Sequence, residues 1–239
     1  MSHSSRHINI AQTDDERSAI FKFRYQVYIE EMGKPYSHAD HKRKQLSDPL
    51  DENATLLYST VAGKIVGTLR INWGNDIEAI NAFTQPCGLF NFRSFPASSW
   101  SFCSRLMVHK AYRYSSLALA LSLKAYQTGR ERDIQFNFVH CVPKLVGLFE
   151  RMGFRQYKQR FKDAEIGVQV PLVLVVEDIN HLSATRSPFL AAALKRPNNC
   201  LTGLWFVNQF SIPQEEGSGI KETINNYVFD KLSISVTAT

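Results

Sequence analysis

Between residues 99 and 142 the hydrophobic period of the chain switches twice, and few architectures accept that order. Residues 99–109 read as a strand. Residues 115–129 place Leu117, Leu121 and the Lys124-Ala125 pair at helical spacing, and residues 134–142 read as a second strand. A helix follows from Pro143, whose ring suits the first helical position, and closes at Gly153, a residue type favoured just past a helix C-terminus.

The flanking segments extend this pattern. Residues 7–11 alternate as a strand does. Asp14, Asp15 and Glu16 then supply an acidic first turn for a helix whose stripe is Ile20, Phe21, Phe23, Val27 and Tyr28, ending near Met32 at Gly33. Residues 55–60 and 64–72 flank Val61-Ala62-Gly63 as a hairpin, and residues 168–176 form a final buried strand. The order strand, helix, hairpin, strand, helix, strand, helix, strand predicts an α/β (α+β) fold, a mixed central sheet with helices on both faces. Residues 34–53, with Pro35, Pro49 and the basic run His41-Lys42-Arg43-Lys44, read as a long loop of the kind that often carries function; residues 75–93 show no clear period. Beyond Asp178 the sequence predicts helices over residues 183–195 and 220–232 around an apolar segment, 204–210. No internal repeat or Gly/Ser-rich linker divides the chain, so residues 1–180 are expected to form one domain, with 181–239 a helical extension packed on it.

Composition narrows the class. With 44% hydrophobic and 21% charged residues the chain has the make-up of a soluble globular protein. The first residues carry no apolar secretory stretch, and runs such as 168–176 fall far short of the roughly 20 residues a membrane span needs. Cys87, Cys103, Cys141 and Cys200 are scattered, with no metal-binding or disulfide spacing, so neither a metal site nor a permanently bound cofactor is expected and a cytoplasmic setting fits. The net charge of +6 is concentrated at Arg105, Lys110, Arg113, Lys124, Arg130 and Arg132, which suits a phosphate-bearing ligand or, equally, a solvated cationic surface.

The candidate site begins where the strand ending at Val108 meets the helix. Arg113-Tyr114-Ser115-Ser116-Leu117-Ala118 opens that helix where free backbone N–H groups and the helix dipole favour an anion. The segment resembles the signature R/Q-x-x-G-x-G/A of the GNAT superfamily of acyltransferases, which binds the coenzyme A pyrophosphate. Arg113 and Ala118 match its ends, and Ser116 stands at the central glycine. A carrier-protein phosphopantetheine, lacking that pyrophosphate, is less sensitive to this change. Residues 142–155, running from Val142-Pro143-Lys144 to Met152-Gly153-Phe154-Arg155, are similar to the helix of that family ending in a Gly-Phe turn. The resemblance implies that two parallel strands, 99–108 and 134–142, diverge so that a pantetheine arm lies between them, with Met107, Val108 and the Arg113 to Ala118 turn holding the donor.

Arg24-Tyr25-Gln26-Val27-Tyr28, Asp48-Pro49-Leu50-Asp51, Gly67-Thr68-Leu69-Arg70 and Ser104-Arg105-Leu106 resemble, in chain order, the pattern shared by acyl-homoserine-lactone synthases and long-chain N-acyl amino acid synthases. By that resemblance Arg24, Asp48, Asp51, Arg70, Ser104 and Arg105 build the acceptor end. Phe102 stands where the lactone synthases carry a glutamate, which favours an N-acyl amino acid product over a lactone. Arg24 or Arg70 either holds an acceptor carboxylate through a forked pair or pairs with Asp48 and Asp51 to pin the loop.

His140 and Cys141, at the end of the second parallel strand, are candidates for proton transfer or nucleophilic attack, although a buried cysteine more often only packs. Direct attack of the amine on the thioester is the expected mechanism. The expected co-substrate is acyl-CoA or an acyl-phosphopantetheine, with an acidic acyl carrier protein as a partner that a basic surface would dock. An acyl-thioester-binding module without turnover and a transferase using aminoacyl-tRNA are the alternatives; no RNA-binding motif supports the latter.

Overall fold

The first helix is specified at its start by reciprocal hydrogen bonds. The Thr13 hydroxyl accepts from the Glu16 amide at 3.2 Å while the Glu16 carboxylate accepts from the Thr13 amide at 2.9 Å, so two of the orphan donors of a helix N-terminus are satisfied. In the computed structural model, which describes residues 7–196 and 201–210, strand β1 (Asn9–Ile10) precedes α1 (Asp14–Tyr25). The helix runs on as a π-helical segment, Gln26–Glu31, and stops before Gly33, whose φ of +63° suits a residue without a Cβ.

Residues 34–53 are more ordered than a loop reading implies. They hold a small hairpin, β2 (Ala39–Asp40) with β3 (Gln45–Leu46), and a single 3-10 turn, Pro49–Asp51, capped by Asp48. Strands β4 (Thr55–Val61) and β5 (Lys64–Trp73) form the expected hairpin. The segment without clear period contains α2 (Ile77–Cys87), capped by Asp76 and stopped at Gly88; Pro86 in its last turn blurs the pattern.

Next come β6 (Trp100–Val108), α3 (Leu117–Arg130), β7 (Phe136–Cys141), α4 (Val146–Arg151), the short strands β8 (Arg155–Gln156) and β9 (Phe161–Asp163), and β10 (Gly167–Val175). The main sheet has the order β1-β4-β5-β6-β7-β10-β8, with β9 also on β10. Among the described residues only β6 and β7 run parallel within it, joined through α3.

The helix expected over residues 183–195 is instead two, α5 (Ile179–Ala184) and α6 (Leu190–Leu194), separated where Arg186 takes a φ of +51°. The apolar segment 204–210 falls mostly within α7 (Leu201–Gln209). The helix expected over 220–232, and Cys200, lie outside the described residues. Two cores result. Leu69, Leu106, Val108, Val139 and Cys141 face α3 to α6, whereas Phe102, Phe136, Phe138, Val173 and Val175 face α2 and α7. Burying each of these larger side chains stabilises the fold by about 1.5–3 kcal/mol. Among the described residues no helix is long and apolar enough to cross a membrane, and no cluster of His, Cys, Asp and Glu is arranged to hold a metal.

Candidate active site

The site grows from a fork in the sheet. β6 and β7 pair only at Trp100–Phe136, Ser101–Asn137 and Phe102–Phe138, although both strands continue. Beyond Phe102 the β6 backbone loses its β7 neighbour, while β7 stays paired with β10 as far as Cys141. Asn137 sits in the crotch and donates to Ser101 Oγ at 2.7 Å and to Cys103 Sγ at 3.1 Å. A cavity of about 30 Å³ opens behind the fork, lined by Cys103, Leu106 and Val139 of the strands and by Ser122, Tyr126 and Phe149 of the helices.

The divergence has a local cause. Arg105 takes a φ of +55° and the pairing of β5 with β6 slips between Thr68 and Arg70, the signature of a β-bulge. Ser104 and Arg105 consequently turn toward one face, where Ser104 Oγ accepts from Arg70 Nε at 2.9 Å and Arg105 meets Asp48. Alternation then resumes, with Leu106 and Val108 in the core and Met107 against Tyr28 and α1. A left-handed arginine is strained, and strain of this kind concentrates at functional sites.

On that face the structure brings together five of the residues the sequence singled out. Arg24 Nη1 lies 2.7 Å from Asp51 Oδ1, Arg70 Nη1 lies 2.5 Å from Asp48 Oδ1 and 3.2 Å from Asp51 Oδ1, and Arg105 Nη2 lies 2.7 Å from Asp48 Oδ2. Arg24, Asp51, Arg70 and Arg105 are buried, and the Asp48 side chain is 8% exposed. Burial raises the pKa of Asp48 and Asp51, but the surrounding arginines outweigh it and hold both below the usual carboxylate range. The 3-10 turn explains the placement: Asp51 accepts from the Asp48 amide at 2.9 Å, and both carboxylates then point at the strand arginines. Arg24 is wholly buried with Nη1 on Asp51, and Arg70, 3% exposed, is held by Asp48, Asp51 and Ser104.

His140 faces the same side of the sheet, near Phe83 and Phe161, with ring centroids at 6.2 and 5.4 Å. Burial lowers its pKa to about 4, against a hydrogen bond to Gln169 that raises it, so the imidazole is neutral at pH 7. Cys141 does not join it. Successive strand residues point to opposite faces, and Cys141 packs in the α3 to α6 core, where burial pushes its thiol up to about 12. Phe102 stacks between Phe83, at 4.6 Å, and Phe138, at 5.6 Å, a setting that a glutamate side chain could not share.

The Arg113 turn lies at the N-terminus of α3, which has no side-chain cap and no acidic residue in its first turn. Arg113 folds back, donating from Nε to Val108 O at 3.1 Å and from Nη2 to Glu31, while Tyr114 is exposed. Ser115 Oγ donates to Tyr112 O at 2.5 Å, Leu117 is buried and Ala118 packs beside it. Ser116 has a φ of −70°, which any residue adopts, so the backbone there does not demand glycine. The basic residues of this stretch do not form one patch. Arg105 pairs with Asp48, Arg130 donates to the carbonyls of Ala192 and Ala193, and Arg132 lies over Trp73 at 4.4 Å.

Sequence reasoning missed several side chains of the site. Tyr28 counted as part of an apolar stripe and of the first-helix motif but with no role of its own, and Tyr36 and Lys34 only as loop. The Arg105 guanidinium lies 5.3 Å from the Tyr28 ring and 4.9 Å from the Tyr36 ring, and the two rings are 4.8 Å apart. The available signal was the aromatic character of the last residue of the first-helix motif and of Tyr36 beyond it.

Comparison with known proteins places this geometry. No curated protein matches the chain in a sequence search. Among solved structures, the CoA-dependent acyl-homoserine lactone synthase BjaI, solved with SAM and isopentyl-CoA, aligns with a TM-score of 0.60 at 14% identity, covering 77% of this chain and 91% of that one. The CoA-dependent acyl-homoserine lactone synthase MesI aligns at 0.57 and 16% identity over 81% and 98%. FeeM, an N-acyl amino acid synthase from uncultured soil microbes, aligns at 0.57 and 13% over 78% and 99%. At these identities the likeness establishes the fold. The family model for N-acyl amino acid synthase FeeM matches residues 19–177, from α1 through β10, and therefore contains the fork, the ion-pair cluster and the Arg113 turn. The chain accordingly belongs to the FeeM N-acyl amino acid synthase family and is a GNAT-fold N-acyltransferase acting on acyl thioesters.

Proposed function

We propose that the chain joins an acyl group, delivered as a thioester of coenzyme A or of an acyl carrier protein, to the α-amine of an amino acid. The observation that carries this reading is the fork, in which β6 and β7 stop pairing at Phe102 and Phe138 while both strands run on. A pantetheine arm, itself a chain of amides, can bond the backbone groups freed there, with Met107 and Val108 leading to the turn from Arg113 to Ala118, where the donor phosphate would meet the amides of α3. The fold supplies the rest of the mechanism by position. The amine nitrogen attacks the thioester carbonyl, the C–S bond breaks, and the thiolate leaves with a proton.

Neutral His140, on the acceptor face, is the group suited to take the amine proton, directly or through water. Asp48, Asp51, Arg24 and Arg70 act as positioning residues, locking the acceptor loop onto the sheet. Ser104 orients Arg70, and Phe102 floors the acceptor space with an apolar ring. Cys141 has a packing role. The free thiols of Cys87, Cys103 and Cys141 support a reducing, cytoplasmic setting.

The test is incubation of the purified protein with acyl-CoA or acyl-loaded carrier protein and a panel of amino acids, with mass spectrometry for the amide. Amide formation with either donor is expected. Failure of both donors to be consumed in the presence of every amine would remove the reading.

A further inference from the structure

The buried ion-pair cluster is short of one negative charge. Three guanidiniums, those of Arg24, Arg70 and Arg105, stand against two carboxylates, Asp48 and Asp51. A buried charge without a partner is costly, so the excess has to be met locally. The unmet groups lie at both ends of the cluster: Nε and Nη2 of Arg24 at the wholly buried end, and Arg105 Nη1 with the hydroxyls of Tyr28 and Tyr36 at the other, all buried with no partner at hydrogen-bonding geometry. Those of Arg105, Tyr28 and Tyr36 lie together, since the Arg105 guanidinium is 4.9 Å from the Tyr36 ring and 5.3 Å from the Tyr28 ring. Each can donate, the two hydroxyls can also accept, and one of the three carries a positive charge, a set that suits an acceptor-rich anion.

A further cation borders the same place. Lys34, whose backbone amide donates to Tyr28 O at 2.9 Å, is half-buried and, among the described residues, is in no ion pair within 4 Å. Burial, and then the neighbouring charges of Lys144 and Arg105, lower its pKa, with Asp163 acting against them. Lys144 belongs to the turn that follows β7. Cations from the first-helix loop, from the bulge of β6 and from the turn after β7 therefore act on one another, and Arg105 acts on His140 as well.

We propose that Lys34 is a specificity-determining residue for the acceptor, holding its carboxylate together with Arg105 Nη1 and the hydroxyl of Tyr36. The inference rests on the N-acyl transfer reading above and assigns the carboxylate to residues other than Arg24, which is wholly buried behind Asp51, and Arg70, which is held by Asp48, Asp51 and Ser104. A carboxylate there supplies the missing negative charge and leaves the α-amine free to approach the thioester carbonyl.

The experiment compares amino acids with the corresponding amino amides, which keep the amine and side chain and lose only the anionic charge. With full-length protein and acyl-CoA, kcat/KM is expected to fall about 100-fold from acid to amide, because buried donors are left unpaired. Lys34→Met should raise the KM for the amino acid more than it lowers kcat and should shrink the acid-to-amide discrimination, and Lys34→Arg should restore most of it. Equal use of acid and amide by the wild type, or undiminished discrimination in Lys34→Met, overturns the assignment. Calorimetric binding of an N-acyl amino acid and of its N-acyl amide separates the two readings. If no amine is acylated yet the acid form binds more tightly, and that preference is lost in Lys34→Met, the anion pocket stands and the transferase reading falls. If the two bind alike, the pocket falls whatever the turnover.

Discussion

Arg24 Nη1 lies 2.7 Å from Asp51 Oδ1, and neither side chain is more than 4% exposed. The pair joins α1 to the turn between β3 and β4, two segments 27 residues apart. Removing one partner strands the other. Arg24→Met is therefore expected to cost about 3–5 kcal/mol in urea unfolding, because Asp51 then relies on Arg70 alone. Asp51→Asn in the same background should recover part of the loss. An Arg24→Met midpoint equal to wild type would show that the pair contributes nothing.

His140 gives stability a pH dependence of definite sign. Its folded pKa, about 4, lies below the ordinary 6.5, so between these values the unfolded chain binds the extra proton. Stability should fall as pH drops from about 6.5 to 4, by on the order of 2–3 kcal/mol. His140→Gln should flatten this window. Asp48 and Asp51, held below 3.8, lose their contribution only at lower pH, so a second decline should survive in that variant. Thermal melts across the range read both, and an unchanged slope in His140→Gln would contradict the assignment.

Cys141 sits in the core at 0% exposure with a thiol pushed up to about 12. Cys141→Ala is expected to retain turnover within about threefold, and thiol-blocking reagents should leave activity intact. Loss of a hundredfold or more, measured as amide formed under saturating donor, would point to covalent chemistry.

Two glycines predict opposite outcomes for the same change. A Cβ on Gly74 would lie 1.9 Å from the backbone oxygen of Ala97, which cannot retreat as a flexible side chain does. Gly74→Ala should cost about 2 kcal/mol or more. A Cβ on Gly147, inside α4, would meet nothing within 4 Å, so Gly147→Ala should stabilise by about 0.4–1 kcal/mol. Melting temperatures that move in the same direction for both would refute the contrast.

The strand and helix periods from β4 to β10 were legible because those segments are long and bury one face cleanly. β8 and β9, at 2 and 3 residues, are too short to carry a period, and α2 was hidden by Pro86. The motif residues Arg24, Asp48, Asp51, Arg70 and Arg105 could be named from the sequence, but which of them would be free to meet a ligand could not. That depended on the 3-10 turn at Pro49, which aims both carboxylates inward. Lys34 carried no signal, since its importance comes from what the fold places opposite it.

The left-handed kink at Arg105 also acts as a counter. It sets Ser104 and Arg105 on one side of the strand and returns Leu106 and Val108 to the other. Deleting a residue between Phe102 and Met107 would exchange the guanidinium, or a core leucine, for its neighbour. This stretch should tolerate changes of chemistry better than changes of length, so related chains are expected to vary its side chains while keeping its nine-residue span.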